Sequence, residues 1–235
     1  MAVALIVAAG RGERLGSGRP KALVPLCGRP MLAWSVDSLR AVEGVSEIVV
    51  ALPAGDLHHA PHGTIAVAGG AQRSESVANA LSACPAGDPV IVHDAARPLA
   101  GADLFVRALA ELERHPEADA VIAAAPVSDT IKEVGDDGGA VTRTLDRSRL
   151  WAVQTPQVFR RSALERVLST ATSEQLSSAT DDAWLVELAG GTVRVLPSDA
   201  GNLKVTTAID LRLAELLLSE RRPAVTDLSS AGDRS

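Results

Sequence analysis

Glycines cluster where the first apolar run ends: Ala2 to Ala8 leads into Ala9-Gly10-Arg11-Gly12-Glu13-Arg14-Leu15-Gly16-Ser17-Gly18-Arg19-Pro20-Lys21. Glycines in that place let the backbone approach a ligand closely and aim N–H groups at phosphates. Two familiar versions of such a loop do not fit. The dinucleotide fingerprint G-x-G-x-x-G needs glycine at position 15, where the chain has Leu15. A P-loop needs Gly-Lys-Ser/Thr, and no such triplet occurs in the chain. What stays is a glycine loop with its own cations, Arg14 inside it and Lys21 directly after Pro20. Cations there suit a nucleoside triphosphate, whose negative charges must be neutralised before an anionic nucleophile can approach. One cation about 4 Å from one phosphate charge is worth on the order of 4 kcal/mol at an effective dielectric near 20. The plain alternative is a solvated loop whose charges serve solubility.

Such a loop needs a rigid edge, and the apolar pattern supplies one. Strand-length runs are Ala2 to Ala8, Glu47 to Leu52, Thr64 to Ala68, Pro89 to His93, Ala120 to Ala125 and Thr192 to Leu196. They alternate with helix-period segments at Met31 to Ala41, Ser74 to Ala83, Leu104 to His115, Arg161 to Leu168, Asp181 to Ala189 and Thr207 to Arg221. The alternation predicts an α/β fold, a mostly parallel sheet flanked by helices. Most runs are apolar at consecutive positions, as strands buried on both faces are. Asp94 follows Pro89 to His93, which puts its carboxylate at the carboxyl edge of the sheet, where open α/β folds bind ligands. The final helix reads as broadly apolar through Ile209, Leu211, Leu213, Leu216, Leu217 and Leu218. One stretch breaks the alternation: Ile131 to Val134 and Ala140 to Leu145, joined by Gly135-Asp136-Asp137-Gly138-Gly139, predict a β-hairpin that projects from the sheet. An isolated hairpin is marginal in water, so a second copy of the chain is the economical surface for it to pack on.

A chain of 235 residues with 46% hydrophobic content can bury one sizeable core. The expectation is a single domain over residues 1–221, with the arm at about 127–153 and a polar, disordered tail or linker stub over 222–235. Lys+Arg 23 against Asp+Glu 29 gives a formal net charge of -6, which argues against a nucleic-acid partner bound through its backbone. Aromatic content of 2%, with no Tyr, removes the stacking platforms of single-strand binders. Cys27 and Cys84 cannot build a disulfide framework or a four-ligand zinc site, so a reducing cytoplasm is the simplest home. The apolar start has no basic flank and is too short to span a bilayer, so neither a signal peptide nor a membrane segment is expected.

Ala8-Ala9-Gly10-x-Gly12-x-Arg14 with Pro20-Lys21-Ala22-Leu23 resembles the signature of nucleotidyltransferases that join a sugar or polyol phosphate to a nucleoside triphosphate. Further motifs follow in order: Ala68-Gly69-Gly70-Ala71-Gln72-Arg73-Ser74-Glu75-Ser76-Val77, Val92-His93-Asp94-Ala95-Ala96-Arg97-Pro98, Ala125-Pro126-Val127-Ser128-Asp129-Thr130-Ile131-Lys132, Gln154-Thr155-Pro156-Gln157, Thr180-Asp181-Asp182 and Asn202-Leu203-Lys204-Val205-Thr206. Together, over about residues 3 to 220, they resemble the 2-C-methyl-D-erythritol 4-phosphate cytidylyltransferase family, CTP-using enzymes of the non-mevalonate isoprenoid route. The resemblance implies a Rossmann-like, GT-A-like nucleotidyltransferase fold, a homodimer joined through the hairpin arm, and Mg²⁺ dependence.

It also implies roles. CTP would lie along Ala8, Ala9, Gly10 and Gly12, with cytosine selected by Gly69, Gly70 and Ser76. Arg14 and Lys21 would stabilise the charge that builds on the α-phosphate and leaving group. Asp94 would hold the metal, a hard cation that takes one or two carboxylates plus phosphate oxygens; a helix cap or a partner for Arg97 is its structural alternative. Arg147 and Lys204 would orient methylerythritol phosphate, Arg147 and Thr130 reaching into the neighbouring subunit's site. Arg97, Thr155 and Thr180 join the substrate-binding set, although Thr155 suits a strand end and Thr180 a helix cap equally well. Where relatives often carry an acidic residue after the two glycines, this chain has Ala71. His58, His59 and His62 read as a surface loop rather than a metal cluster. His93 is expected on the strand face opposite Asp94. Trp34 and Trp184 read as core, and Trp151 as packing at the arm base or lining the site. Two rivals stay open: a ribitol-5-phosphate cytidylyltransferase, and a catalytically silent nucleotide-binding module.

Overall fold

The computed structural model describes residues 1–10, 12, 15, 18–84, 86–136 and 138–221. The expected tail at 222–235 and the cation Arg14 lie outside the described residues. In chain order the elements are β1 (Ala2–Val7), β2 (Pro25–Leu26), β3 (Arg29–Pro30), α1 (Met31–Arg40), β4 (Val45–Leu52), β5 (Ile65–Ala68), α2 (Arg73–Ser82), β6 (Val90–Asp94), α3 (Ala102–Arg114) and β7 (Ala120–Pro126). Then come β8 (Lys132–Val134), β9 (Val141–Thr144), β10 (Trp151–Phe159), α4 (Arg161–Thr170), α5 (Ser173–Ser178), α6 (Asp182–Leu188), β11 (Val193–Pro197) and α7 (Ala208–Arg221). Every strand and helix the pattern predicts is present, within two residues at each end.

Seven strands form one sheet in the order β11-β7-β10-β6-β1-β4-β5. β5, β4, β1 and β6 run parallel, as do β7 and β11, while β10 lies antiparallel between β6 and β7. Consecutive apolar residues feed opposite faces of the sheet. Ala4, Ile6, Val50 and Ile91 meet Leu32 and Val36 of α1 and Phe105 of α3. Val3, Leu5, Val49 and Val92 meet Val77 of α2, Leu164 of α4 and Val186 of α6. That double burial explains why these strands carry no polar alternation.

β10 is a strand that the apolar pattern does not predict. Its sequence holds Gln154, Thr155, Pro156 and Gln157, and proline with polar residues argues against a central strand. The register against β7 shifts between Val153 and Gln157, so the three residues between them leave the ladder and turn to other partners.

The hairpin forms as expected. β8 and β9 make their own two-stranded antiparallel sheet, apart from the main one, and all their residues are exposed. Lys132 Nζ donates to Thr144 Oγ1 (2.7 Å) and Arg143 pairs with Glu133 (2.7 Å) across it. Val134 and Val141 stand in solvent on the same arm.

The helix with the most leucines behaves differently from its pattern. In α7 Ala214 and Leu218 are buried, against Val24, Leu26 and Met31 near the β2–β3 turn, but Leu213, Leu216 and Ile209 are exposed, Ile209 by 77%. Three consecutive leucines spread over the helix circumference at 100° per residue, and one edge contact cannot cover them all. Trp34 and Trp184 are partly buried packing residues, as expected of core-facing helices.

Candidate active site

Two loops meet over the carboxyl ends of β1 and β6 and enclose a cleft of about 660 Å³. Ala8, Ala9, Gly10 and Gly12 form one wall; Gly70, Gln72 and Ser76, at the first turn of α2, form the other. Lys21, Arg73, Asp94 and Lys204 supply the charges that line it. The glycines do what close approach requires. Gly12 has φ +70, and the Lys21 N–H donates to the Gly10 carbonyl at 3.0 Å, folding the loop back on the lysine. A Cβ on Gly69 would overlap the Ala9 Cβ and lie 2.9 Å from Ser76 Oγ, so glycine there lets the walls meet. Gly70 N–H donates to Ser76 Oγ (3.1 Å), whose hydroxyl donates to the Gln72 carbonyl (3.1 Å). Ala71 gives its N–H to Glu75 Oε2 at 2.7 Å.

Asp94 is the electrostatic centre. Lys204 Nζ sits 2.7 Å from one carboxylate oxygen and Arg73 Nε 3.2 Å from the other. Burial by itself would raise the Asp94 carboxyl, but Arg73 and Lys204 outweigh it and hold the group well below the usual carboxylate range. Arg73 in turn pairs with Asp182, which is 1% exposed. Burial alone would weaken the Arg73 charge; Asp182 and Asp94 overcome it and hold the guanidinium above its ordinary range. Asp94 therefore partners Arg73 and Lys204 rather than Arg97 or a helix end. As a donor set, Asp94 offers one hard oxygen ligand. Among the described residues no three His, Cys, Asp or Glu side chains gather as a cage. A cation that takes most of its ligands from phosphate and water fits that arrangement.

The polar residues of β10 explain how these groups are held. Thr155 is buried; its Oγ1 accepts from the Asp94 N–H (3.0 Å) and shares a 3.0 Å hydrogen bond with His93 Nδ1. The Thr155 hydroxyl thus fixes the end of β6. His93 lies on the other strand face, edge-on to Phe105 at 5.0 Å, and burial pushes its pKa down to about 4. Lys204 rides on an irregular stretch between Pro197 and α7. Asn202 anchors that stretch, its Nδ2 donating to Gln154 Oε1 and the Thr155 carbonyl (both 2.9 Å). Arg97, buried beneath, donates to the Asn202 carbonyl (2.7 Å) and the Val153 carbonyl (3.3 Å).

The chain brings Lys21, Asp94, Lys204 and the glycine walls together, and leaves other expected residues outside the cleft. Thr130 and Arg147 are exposed at the arm base, where Arg147 donates to the Ser128 carbonyl. Thr180 is exposed, and Asp181 rather than Thr180 caps α6, accepting from the Trp184 N–H at 2.8 Å. Trp151 stays 37% exposed on the strand leaving the arm. His58, His59 and His62 lie in or after a short exposed 3-10 turn, Ala54–His59. Sequence reasoning missed Arg73 and Asp182 as charged members of the site. Both stand within the ordered motifs, but the long-range partnership of one helix start with another leaves no local spacing to read.

A family model described as 2-C-methyl-D-erythritol 4-phosphate cytidylyltransferase matches residues 2–220. A relative of that name from Symbiobacterium thermophilum is 47% identical over 224 residues, 92% of each chain. The crystal structure of 4-diphosphocytidyl-2C-methyl-D-erythritol synthase from Anaerococcus prevotii superposes with TM-score 0.78 at 28% identity, over 93% of this chain and 98% of that one. The crystal structure of 2-C-methyl-D-erythritol 4-phosphate cytidylyltransferase from Thermus thermophilus gives 0.75 at 33% identity, over 92% and 98%. The β-hairpin arm, the glycine-walled cleft and the cations around Asp94 therefore sit on a chain that belongs to the 2-C-methyl-D-erythritol 4-phosphate cytidylyltransferase family.

Proposed function

We propose that the chain transfers the cytidylyl group of CTP to 2-C-methyl-D-erythritol 4-phosphate, yielding 4-diphosphocytidyl-2-C-methyl-D-erythritol and pyrophosphate in isoprenoid biosynthesis. The observation that carries the reading is the meeting of Lys21 and Lys204 with Asp94 in one glycine-walled cleft. A substrate phosphate oxygen forms a bond to the α-phosphorus of CTP as the bond from that phosphorus to the bridging oxygen of pyrophosphate breaks. A phosphate monoester is already anionic near neutral pH, so no protein base or covalent intermediate is required. Positioning and charge neutralisation do the work. Ala8, Ala9, Gly10 and Gly12 bring backbone to the triphosphate, and Lys21, with Arg14, stabilises its developing charge. Gly69, Gly70 and Ser76 read the cytosine. Asp94 would hold Mg²⁺, which would supply charge neutralisation at the triphosphate. Lys204 turns from Asp94 to the substrate phosphate. Arg97 and Thr155 support this geometry from below, and Thr180 borders the polyol. Thr130 and Arg147 complete the site of a second copy of the chain, docked through the arm.

No described helix is long and apolar enough to cross a membrane. The free Cys27 and Cys84 suit a reducing cytoplasm. Pyrophosphate release tests the reading, with CTP compared with other triphosphates and methylerythritol phosphate compared with ribitol 5-phosphate. Fast release with CTP and methylerythritol phosphate is expected. CTP binding without release on either polyol phosphate overturns it in favour of a silent nucleotide-binding module.

A further inference from the structure

Asp182 begins α6 with its carboxylate buried and turned to Arg73, and Arg73 begins α2 with its guanidinium between Asp182 and Asp94. Both helices are bolted to the same face of the sheet, α2 through Val77, Ala80 and Leu81, α6 through Ala183, Leu185 and Val186. A buried ion pair adds little to stability alone, since apolar residues of similar volume often serve as well or better. Stability therefore does not explain why this carboxylate is here; geometry does. A guanidinium is a rigid planar fork, and one held by a carboxylate on each side has a fixed orientation. Asp94 thus has two cationic partners of different character. Arg73 is seated between two packed helix starts. Lys204 rides on an irregular stretch, and its side chain is 46% exposed.

We infer that Asp182, acting through Arg73, is a positioning residue for Asp94. It locks the carboxylate in one orientation, so that Lys204 can leave for the substrate phosphate without the carboxylate turning after it. The inference rests on the cytidylyltransferase reading of the cleft. Misplacement of about 1 Å by a change remote from the chemistry can cost about 10²-fold in rate. Outer partners of a metal ligand are worth roughly 10- to 100-fold in metal affinity or activity.

The test compares the full-length wild-type chain with Asp182→Asn and with the double variant Arg73→Met/Asp182→Leu. Thermal midpoint, CTP affinity, kcat and KM are measured, together with Mn²⁺ affinity from its paramagnetic resonance signal. Folded Asp182→Asn is expected to lose about 10²-fold in kcat and at least about tenfold in Mn²⁺ affinity, with CTP affinity retained. Wild-type kcat and Mn²⁺ affinity in that variant overturn the inference. Should Asp182→Asn fail to fold, the double variant decides. A wild-type midpoint with kcat and Mn²⁺ affinity still depressed supports positioning; recovery of midpoint and both functions together shows a purely structural pair and overturns it. If neither variant folds, the pair is a requirement of the fold and the assignment falls. A wild-type chain that releases no pyrophosphate sinks the functional reading instead, and Mn²⁺ affinity then still reports on Asp94.

Discussion

In the proposed reaction Lys21 and Asp94 divide the chemistry by what each faces. Lys21 is held by a backbone bond to Gly10 in the cleft; in that reaction it faces the triphosphate, and its charge would matter most as negative charge gathers on the leaving group. Lys21→Ala is expected to lower kcat by about 10²- to 10³-fold while CTP affinity falls much less. Steady-state kinetics with equilibrium CTP binding checks this, and equal losses in both would make Lys21 a binding residue only. His93 supports Asp94 from behind as a neutral ring, burial having moved it from its ordinary value of 6.5 down to about 4. The unfolded chain therefore binds a proton there at a pH where the folded chain does not. The resulting penalty is absent above about 6.5, grows as pH falls from there, and is complete below about 4, at about 3 kcal/mol. Thermal midpoints of the ligand-free chain measured across that window should fall on acidification, and His93→Gln should flatten the fall; an unchanged slope would mean the ring is already charged when folded. These residues differ in how far the sequence exposes them. Lys21 and Asp94 sit at fixed offsets from strand ends and are legible there, whereas Arg73 and Asp182 are 109 positions apart and meet only in space.

Elements show the same division. The parallel strands are legible because burial on both faces leaves uninterrupted apolar runs, and the hairpin because Gly135 to Gly139 interrupts two short β-prone runs. β10 is hidden because its polar residues find their partners inside: Thr155 on Asp94 and His93, Gln154 on Asn202, and Gln157 on Asp181 Oδ2 at 2.8 Å. A polar strand reads as a loop until its partners are known. α5, six residues long, is below the length at which periodicity registers, yet its Thr172 and Gln175 capping box is a usable signal. The exposed face of α7 could not be foreseen, because the run Leu216-Leu217-Leu218 is apolar whichever side packs. The meeting of the two cleft walls gives an element-scale prediction. Gly69 N–H donates to the Leu52 carbonyl at 2.7 Å, tying the α2 approach to β4, while its missing Cβ leaves room for Ala9 and Ser76. Gly69→Ala must push the loops apart, because the atoms it meets are a short side chain and a hydroxyl with no freedom to withdraw. CTP affinity is expected to drop by about tenfold or more, on the order of 1.4 kcal/mol, with the thermal midpoint lowered modestly. Calorimetric CTP titration of the variant checks it, and wild-type affinity would show that the walls need not touch.

At the scale of the whole molecule, one chain carries a cleft and, apart from its lining, an exposed arm. Arg147 is exposed and hydrogen-bonded to Ser128 at the arm base, and Thr130 is exposed beside it, while Lys21, Asp94 and Lys204 line the cleft. Val134 and Val141 are apolar side chains on a two-stranded sheet exposed along its whole length, an arrangement marginal in water unless another surface covers it. In the proposed two-fold dimer each arm would bring its arginine to the partner's cleft and bury its valines in doing so. Sites built that way can be repaired by mixing. Arg147→Ala leaves a chain its own cleft cations and spoils the arm; Lys21→Ala does the reverse. In a heterodimer of the two, one site receives both defects and the other receives neither, so about half of the dimer's wild-type activity should return where each homodimer is nearly inactive. Co-expression with two affinity tags isolates the heterodimer, and its mass in solution verifies the pairing before turnover is measured. Activity no higher than the mean of the parents would mean that Arg147 serves its own chain, and Val134→Asp, expected to yield monomers of low activity, would then yield monomers that turn over normally.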